Sequence, residues 1–371
     1  MYAKCLYIHL IKRNNNFVLY TSLRVSTSAN YEEYDLLQYE LKDNAITILI
    51  LFEMESINPN WSIRLQVILW RIVLGISVSY QIFLIYFFTK SKAEARNLKY
   101  ISSSLGIPLP ERSYAENCSL RWSILKNQLD GFVLSHILGS YIKALLFRDY
   151  WIWWILSIMF EIFEYSLQHQ LPNFAECWWD HWILDVAFCN ALGIYFGMKT
   201  CQYFQLEQFH WKEVKQTCHE ETNQDFLSNL FNWSPGRTFP HYLGLLFIIW
   251  STLQCELNVF YLKYLLWIPP EHYLVSLRLL VFSLVCSPAL REIYHYYIDP
   301  EHNKLGAHTF FMVSNIWTES LICLKFSNRE FPNPVPPHIK LFWSMFLSIL
   351  VIYPIMEYNL IKRINSKRRL D

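Results

Sequence analysis

The stretch GFVLSHILGSYIKALLFRDYWIWWILSIMFEIFEYSLQHQ, residues 131–170, decides the fold class. Two apolar runs flank the polar pair Arg148-Asp149. Each run has about the 17–25 residues that a helix needs to cross a bilayer, and the join between them leaves room only for a tight turn. Six more runs of this kind lie outward from it, at about 65–88, 181–204, 241–263, 273–296, 307–325 and 341–361. The 371 residues are 53% hydrophobic and 18% aromatic, with only 17% charged, against roughly 25% in soluble domains. Helices that satisfy their own backbone are the economical way to bury such runs in lipid. The expected fold is therefore all-α, a multi-pass transmembrane helical bundle with about eight visible spans.

The segments around this bundle divide the chain into three parts. Residues 1–60 form a polar N-terminal segment with NNN at 14–16 and acidic Glu32, Glu33, Asp35, Glu40 and Asp43. It shows no secretory signal peptide, and its apolar run Ala45–Phe52 is too short to span. Residues 61–361 form the membrane domain, without internal repeats or Gly/Ser linkers, and 362–371 a basic tail. Four prolines within 326–340 read as a stiff connector. The tail, KRINSKRRL, predicts a cytoplasmic C-terminus, which turns the 171–180 connection toward the lumen. A net charge of +1 gives no nucleic-acid footprint. Nine cysteines without a C-x-x-C pair suggest neither a disulfide framework nor a zinc site, and most read as small apolar residues.

The chemistry concentrates in FEIFEYSLQHQLPNFAECWWDHWILD, residues 160–185, which holds Glu161, Glu164, Glu176, Asp180 and Asp185 but no Lys or Arg. Glu161 and Glu164 are spaced to share one helix face. Pro172 ends that helix, and a second helix is expected from about Phe174, with Glu176 and Asp180 on one face at i, i+4. The tight join makes the two helices antiparallel neighbours whose acidic faces meet. Asp185 falls on the opposite side of that second helix from Glu176, unless the helix is distorted. Converging carboxylates in a low dielectric need protons or a hard divalent cation bound through oxygen. Snorkelling of Glu161 and Glu164, and capping by Glu176, are the plainer alternatives.

His136 lies inside the preceding span, as either a hydrogen-bonded core histidine or a functional one. Its neighbours Ser135 and Gly139 predict close helix approach. Lys143 and Arg148, further along, read as snorkelling cations or as ligands of a lipid phosphate. The nucleophile elbow G-x-S-x-G, the Walker loop, H-E-x-x-H and the D-G-x₂-A-R pattern of CDP-alcohol phosphotransferases are all absent from the sequence. A cation-coupled transporter is the competing reading of buried acids in a multi-pass chain, and inverted repeats with paired broken helices would distinguish it.

Leu171 to Asp180, LPNFAECWWD, followed by D-x₃-C-N at Asp185 to Asn190, resembles the motif of the base-exchange phosphatidylserine synthases of the eukaryotic endoplasmic reticulum. LWRIVLGISVSY (69–80), RSYAENC (112–118), IKALLFRDY (142–150), SPALREIYHYYID (287–299) and LICLKF (321–326) extend the resemblance over about residues 60–360. It implies Ca²⁺-dependent replacement of choline or ethanolamine by L-serine on phosphatidylcholine or phosphatidylethanolamine, without a nucleotide, in the endoplasmic reticulum membrane or its mitochondria-associated part. It implies essential roles for His136, Glu161, Glu164, Asn173, Glu176, Asp180, Asp185 and Asn190.

On that basis His136, Glu161 and Asp185 are expected to be catalytic. Glu164, Asn173, Glu176 and Asp180 are the expected metal ligands. Asn190, Lys143 and Arg148 are expected to bind substrate, and Arg71, in the L-W-R segment, to mediate inhibition by the product lipid. A homodimer is left open. Family members carry about ten spans, two of them before the L-W-R segment, where this sequence offers only the short 45–52 run.

Overall fold

The computed structural model describes residues 7–13, 16–22, 59–97, 101–108, 114–115, 118–119, 121, 131–211, 239–298, 304–331 and 333–367. The apolar run at 45–52, most of the connection after 211 and residues 368–371 lie outside the described residues. The chain divides into two units, Met1–Lys42 and Asp43–Asp371. The first contains an antiparallel hairpin, β1 (Tyr7–Arg13) against β2 (Asn16–Ser22), in register from Tyr7 opposite Ser22 to Arg13 opposite Asn16. The alternation of YIHLIKR and NFVLYTS fits paired strands, a signal hidden within a segment read only as polar.

Every described element of the second unit is helical. They are α1 (Pro59–Thr89), α2 (Lys92–Arg96), α3 (Gly131–Phe147), α4 (Tyr150–Leu167), a 3₁₀ turn (Pro172–Phe174), a π-helical segment (Asp180–Asn190), α5 (Ala191–Tyr203), α6 (Phe239–Leu266), α7 (Tyr273–Ile298), α8 (Ala307–Ser327) and α9 (Pro337–Lys367). All eight runs read from the sequence are thus helices, and the chain is a multi-pass helical membrane protein. Val67–Thr89, Phe239–Leu266, Tyr273–Ile298 and Pro337–Tyr358 are long and apolar enough to cross a membrane by length and composition. The other four runs are shorter or more polar, and two of them, 150–170 and 181–204, carry Glu161, Glu164 and Asp185. The last helix continues to Lys367, so the basic tail begins in helical conformation.

Two seams, one of small residues and one polar, tie the bundle. In the first, α3 and α5 approach so closely that a Cβ on Gly193 would lie 2.3 Å from Ser140 Cβ, and one on Gly197 2.6 Å from Ala144 Cβ. Small residues four apart on both helices permit this contact. Nothing lies within 4 Å of a Cβ built on Gly139, so the contact expected through Ser135 and Gly139 runs instead through Ser140 and Ala144, on an adjacent face. In the second seam, Arg278 of α7 donates to Glu319 of α8 at 2.5 and 3.1 Å, and Tyr80 of α1 and Asn258 of α6 donate to the same carboxylate. A buried carboxylate needs such partners, because desolvating it alone costs several kcal/mol.

The turn between α3 and α4 is built by capping. Asp149 Oδ1 accepts from the Trp151 amide at 2.7 Å and Oδ2 from the Trp211 amide at 3.1 Å. This satisfies the open N-terminus of α4 and fixes the antiparallel pair that presents Glu161 and Glu164.

Candidate active site

The site forms where α4 ends and the chain re-enters the bundle. After Leu171, the 3₁₀ turn of Pro172–Phe174 leads into extended residues 175–177, and helix resumes at Trp178. Glu176 therefore lies ahead of the helix, and the i, i+4 pairing expected for Glu176 and Asp180 does not occur. The turn itself swings Glu176 toward α4. Trp178 and Trp182 point outward, exposed, while Trp179 is buried and donates through Nε1 to the Cys118 carbonyl. Exposed tryptophans of this kind suit the membrane–water interface.

From Asp180 to Asn190 the backbone bonds i to i+5. This widened turn brings residues five apart nearly into line, whereas an α-helix would splay them. Asp180, Asp185 and Asn190 are accordingly all buried. This is the distortion that the sequence required for Asp185 to join the other acids, and nothing in local propensity announced it.

Four side chains meet beneath the turn. His181 Nδ1 lies 2.9 Å from Glu161 Oε2, 3.7 Å from Glu164 Oε2 and 3.6 Å from Glu176 Oε2. Glu161, Glu164 and His181 are buried and offer ligand atoms within 4.8 Å of one another. Glu161 Oε1 and Glu164 Oε2 are buried without a hydrogen-bond partner. Glu176, in the connecting turn, feels burial first and then the charges of Glu164, Asp185, Asp180 and Glu161, which push its carboxyl up to about 10. Such a group holds a proton at neutral pH unless a cation replaces it.

Beside this cluster, His136 Nε2 of α3 lies 3.9 Å from Asp185 Oδ1. Lys143, two turns along the same helix, pairs with Glu256 of α6 at 2.9 Å and lies over the Trp153 ring at 5.0 Å. Glu256 and His181 belong to the polar centre but were not singled out from sequence. His181 adjoins Asp180 in the motif, and that adjacency was the available signal. Glu256 lies far along the chain in an apolar span, with no local pattern to mark it.

The remaining expected residues are dispersed. Asn190 Oδ1 accepts from Ser140 at 2.5 Å, and its Nδ2 donates to Ser157 at 2.8 Å. It straps α3 to α4 through these two bonds. Arg148 is buried at the far end of α3, donating to the Glu207 and Leu145 carbonyls and lying 4.7 Å from the Phe209 ring centre. Asn173 is half-buried in the 3₁₀ turn, and Asp180 is buried where the π segment starts. Arg71 is exposed on α1.

Two of the cysteines are bonded to each other, contrary to the expectation of no disulfide. Cys177, between the acids, forms a disulfide with Cys118, with Cα atoms 5.3 Å apart. The Tyr114 amide donates to the Ala175 carbonyl at 3.0 Å, so the segment around 114–118 is fastened over the acidic turn by covalent and hydrogen bonds. The partners are 59 residues apart, which is why no short Cys spacing revealed them.

Residues 66–327 match the family described as phosphatidyl serine synthase. The chain is 40% identical over 309 residues to phosphatidylserine synthase 2 of Danio rerio, covering 78% of this chain and 68% of the relative. It is 40% identical over 311 residues to phosphatidylserine synthase 2 of Homo sapiens, covering 78% and 63%. A rice protein (Oryza sativa subsp. japonica) named CDP-diacylglycerol--serine O-phosphatidyltransferase 2 is 34% identical over 313 residues, covering 78% and 73%. The chain thus spans about two thirds of the length of the vertebrate relatives.

Proposed function

The chain belongs to the phosphatidyl serine synthase family, and from that premise we propose that it is a phosphatidyltransferase exchanging the choline or ethanolamine head group of a phospholipid for L-serine. The observation that carries this reading is the buried junction of Glu161, Glu164, Glu176 and His181 beside the His136–Asp185 pair. Ca²⁺ fits the junction, because two buried carboxylate oxygens there have no hydrogen-bond partner and hard cations prefer such oxygens. Glu161, Glu164 and Glu176 would hold the ion, with Asp180 near the same turn. When bound, the ion supplies Lewis-acid polarisation of the phosphoryl oxygens and neutralises charge developing on them.

The remaining work falls to side chains of this chain. A serine hydroxyl is a weak nucleophile at neutral pH and needs a base as it attacks phosphorus. His136 takes that proton while Asp185 holds the ring and stabilises the imidazolium. The new bond joins the serine oxygen to phosphorus. The phosphorus–oxygen bond to choline or ethanolamine breaks, and His136 returns the proton to the departing alcohol. No nucleotide is consumed. Lys143, paired to Glu256 at the edge of the junction, adds positive potential for the phosphate.

The disulfide supports an orientation with the acidic turn on the oxidising, lumenal side of an endoplasmic reticulum membrane. The alternation of spans then puts the basic end of α9 in the cytoplasm, in agreement with its charge.

The rice relative's name specifies CDP-diacylglycerol as phosphatidyl donor and the vertebrate names specify none, so the deciding assay varies the donor. Purified protein is supplied with labelled L-serine and either phosphatidylcholine, phosphatidylethanolamine or CDP-diacylglycerol, with Ca²⁺ or a chelator. Label should enter phosphatidylserine from phosphatidylcholine or phosphatidylethanolamine, with release of the free base, and only with Ca²⁺. Label incorporation from CDP-diacylglycerol alone, with release of CMP, would replace this reading by the nucleotide-dependent one.

A further inference from the structure

The junction is not a carboxylate-only site. His181 turns its Nδ1 toward three carboxylates, at 2.9, 3.6 and 3.7 Å, from a ring that is itself buried. Nearest neighbours in an octahedral shell with bonds of about 2.1 Å stand about 3.0 Å apart, and a larger ion spreads them further. The shortest is a hydrogen bond between the ring and Glu161, and all three distances fall in the range expected of atoms that share one ion. Glu161 Oε1, an oxygen outside these three contacts, is buried without a hydrogen-bond partner and points independently to a ligand at this place, since buried acceptors are rarely left unpaired.

We propose that His181 is a nitrogen ligand of this centre, giving it a mixed donor set of imidazole and carboxylates that accepts a first-row transition ion such as Mn²⁺ as well as Ca²⁺. The proposal rests on the metal-dependent reading above and extends it to an additional ligand and a second class of ion. Imidazole is a poor ligand for hard Ca²⁺ and a good one for first-row transition ions. A purely carboxylate junction would show no such contrast. The π-helical backbone is what makes the arrangement possible: His181 follows Asp180 in the first widened turn and faces α4, while Asp185 is carried round toward His136.

The test uses the full chain in lipid nanodiscs, stripped of metal and titrated with Mn²⁺ alone. Pulsed electron paramagnetic resonance then reports the nitrogen hyperfine coupling of an imidazole bound directly to Mn²⁺. The parent protein should show that coupling, and His181→Gln should lose it together with roughly tenfold or more of its Mn²⁺ affinity. Ca²⁺ affinity, measured by displacement of a fluorescent chelator, should change much less in the same variant. His136→Gln should keep the coupling, which assigns it to the correct ring. Mn²⁺ bound without nitrogen coupling in the parent, or coupling that survives in His181→Gln, would overturn the proposal while leaving the calcium reading intact. Ca²⁺ binding without Mn²⁺ binding would also overturn it. Failure of the parent to bind either ion would overturn this proposal and the calcium reading together. The parent measurement decides the matter even if His181→Gln fails to fold.

Discussion

His136 Nε2 stands 3.9 Å from Asp185 Oδ1, across the gap between α3 and the π segment. That is too long for a hydrogen bond and short enough for a small ring rotation to close. Catalytic contacts commonly tighten only when substrate is bound. His136→Ala is expected to lower head-group exchange by about 10²–10⁴-fold, the usual contribution of a general base, with thermal stability in detergent nearly unchanged. Asp185→Asn should lower kcat more than it alters KM for serine, because it acts through the ring. A loss of only a few fold in His136→Ala would leave that residue a packing role.

The two residues also mark how far the sequence could be read. All eight helical runs were legible, because bilayer thickness sets a length that composition reveals directly. The acidic residues were legible as a group, since carboxylates in apolar sequence are conspicuous. Their spatial relation was not. Counting at 100° per residue sends Asp185 away from Glu176, and only the i to i+5 backbone of Asp180–Asn190 brings Asp185 back toward the other acids. The bonds that Asn190 and Arg148 make within the protein were not legible for a related reason. A polar residue in a span does not announce its partners, and both tie helices or loops of their own chain. The Cys118–Cys177 bond and the Arg278–Glu319 pair are contacts between distant positions, which no local pattern encodes.

Glu176 reaches the cluster from a turn, not from a helix, so its position depends on what it binds. Glu176→Gln removes one charge and keeps the shape. The variant is expected to need at least about tenfold more Ca²⁺ for half-maximal exchange, with much of the maximal rate recovered at high Ca²⁺. Parent and variant titrated side by side with buffered Ca²⁺ give the comparison. Superimposable curves would remove Glu176 from the metal shell.

The disulfide holds the segment around Tyr114–Cys118 over the turn that carries Glu176. Closing a loop of this length restricts the unfolded chain by roughly 4 kcal/mol on the loop-entropy account. Cys118→Ser should therefore lower the melting temperature and raise the Ca²⁺ requirement, since the turn loses its fastening. In intact membranes a thiol-reactive polymer should add two more labels after reduction than before it. An unchanged label count would show that both thiols are free.

Close approach of α3 and α5 depends on the missing side chains at Gly193 and Gly197. A Cβ on Gly197 would lie 2.6 Å from Ala144 Cβ and 2.9 Å from the Tyr141 carbonyl oxygen. Gly197→Val must push the helices apart, and overpacking of this kind costs about 1–3 kcal/mol. The same shift would draw His136 away from Asp185, so activity should fall further than stability alone explains. Gly244→Ala, in α6 where no atom lies within 4 Å of the added carbon, is the matched control and should be nearly silent in both melting and exchange assays.

Arg71 presents its charge on the exposed face of α1, within a helix apolar enough to cross the membrane. A cation at such a place is costly unless it reaches the interface or meets an anionic group. The resemblance of its L-W-R segment assigns it to inhibition by the product lipid, and its exposure leaves it accessible to a phospholipid head group. A guanidinium can grip a phosphate or carboxylate with two parallel hydrogen bonds, whereas an ammonium offers a single point charge. Arg71→Lys should keep the basal exchange rate, because the charge remains and the site lies on other helices. It should also resist added phosphatidylserine, needing several-fold more of it for half inhibition. Exchange rates measured across a series of vesicles of rising phosphatidylserine content separate the two explanations. Equal inhibition of parent and variant would leave Arg71 as a cation anchored at the interface, with no part in regulation.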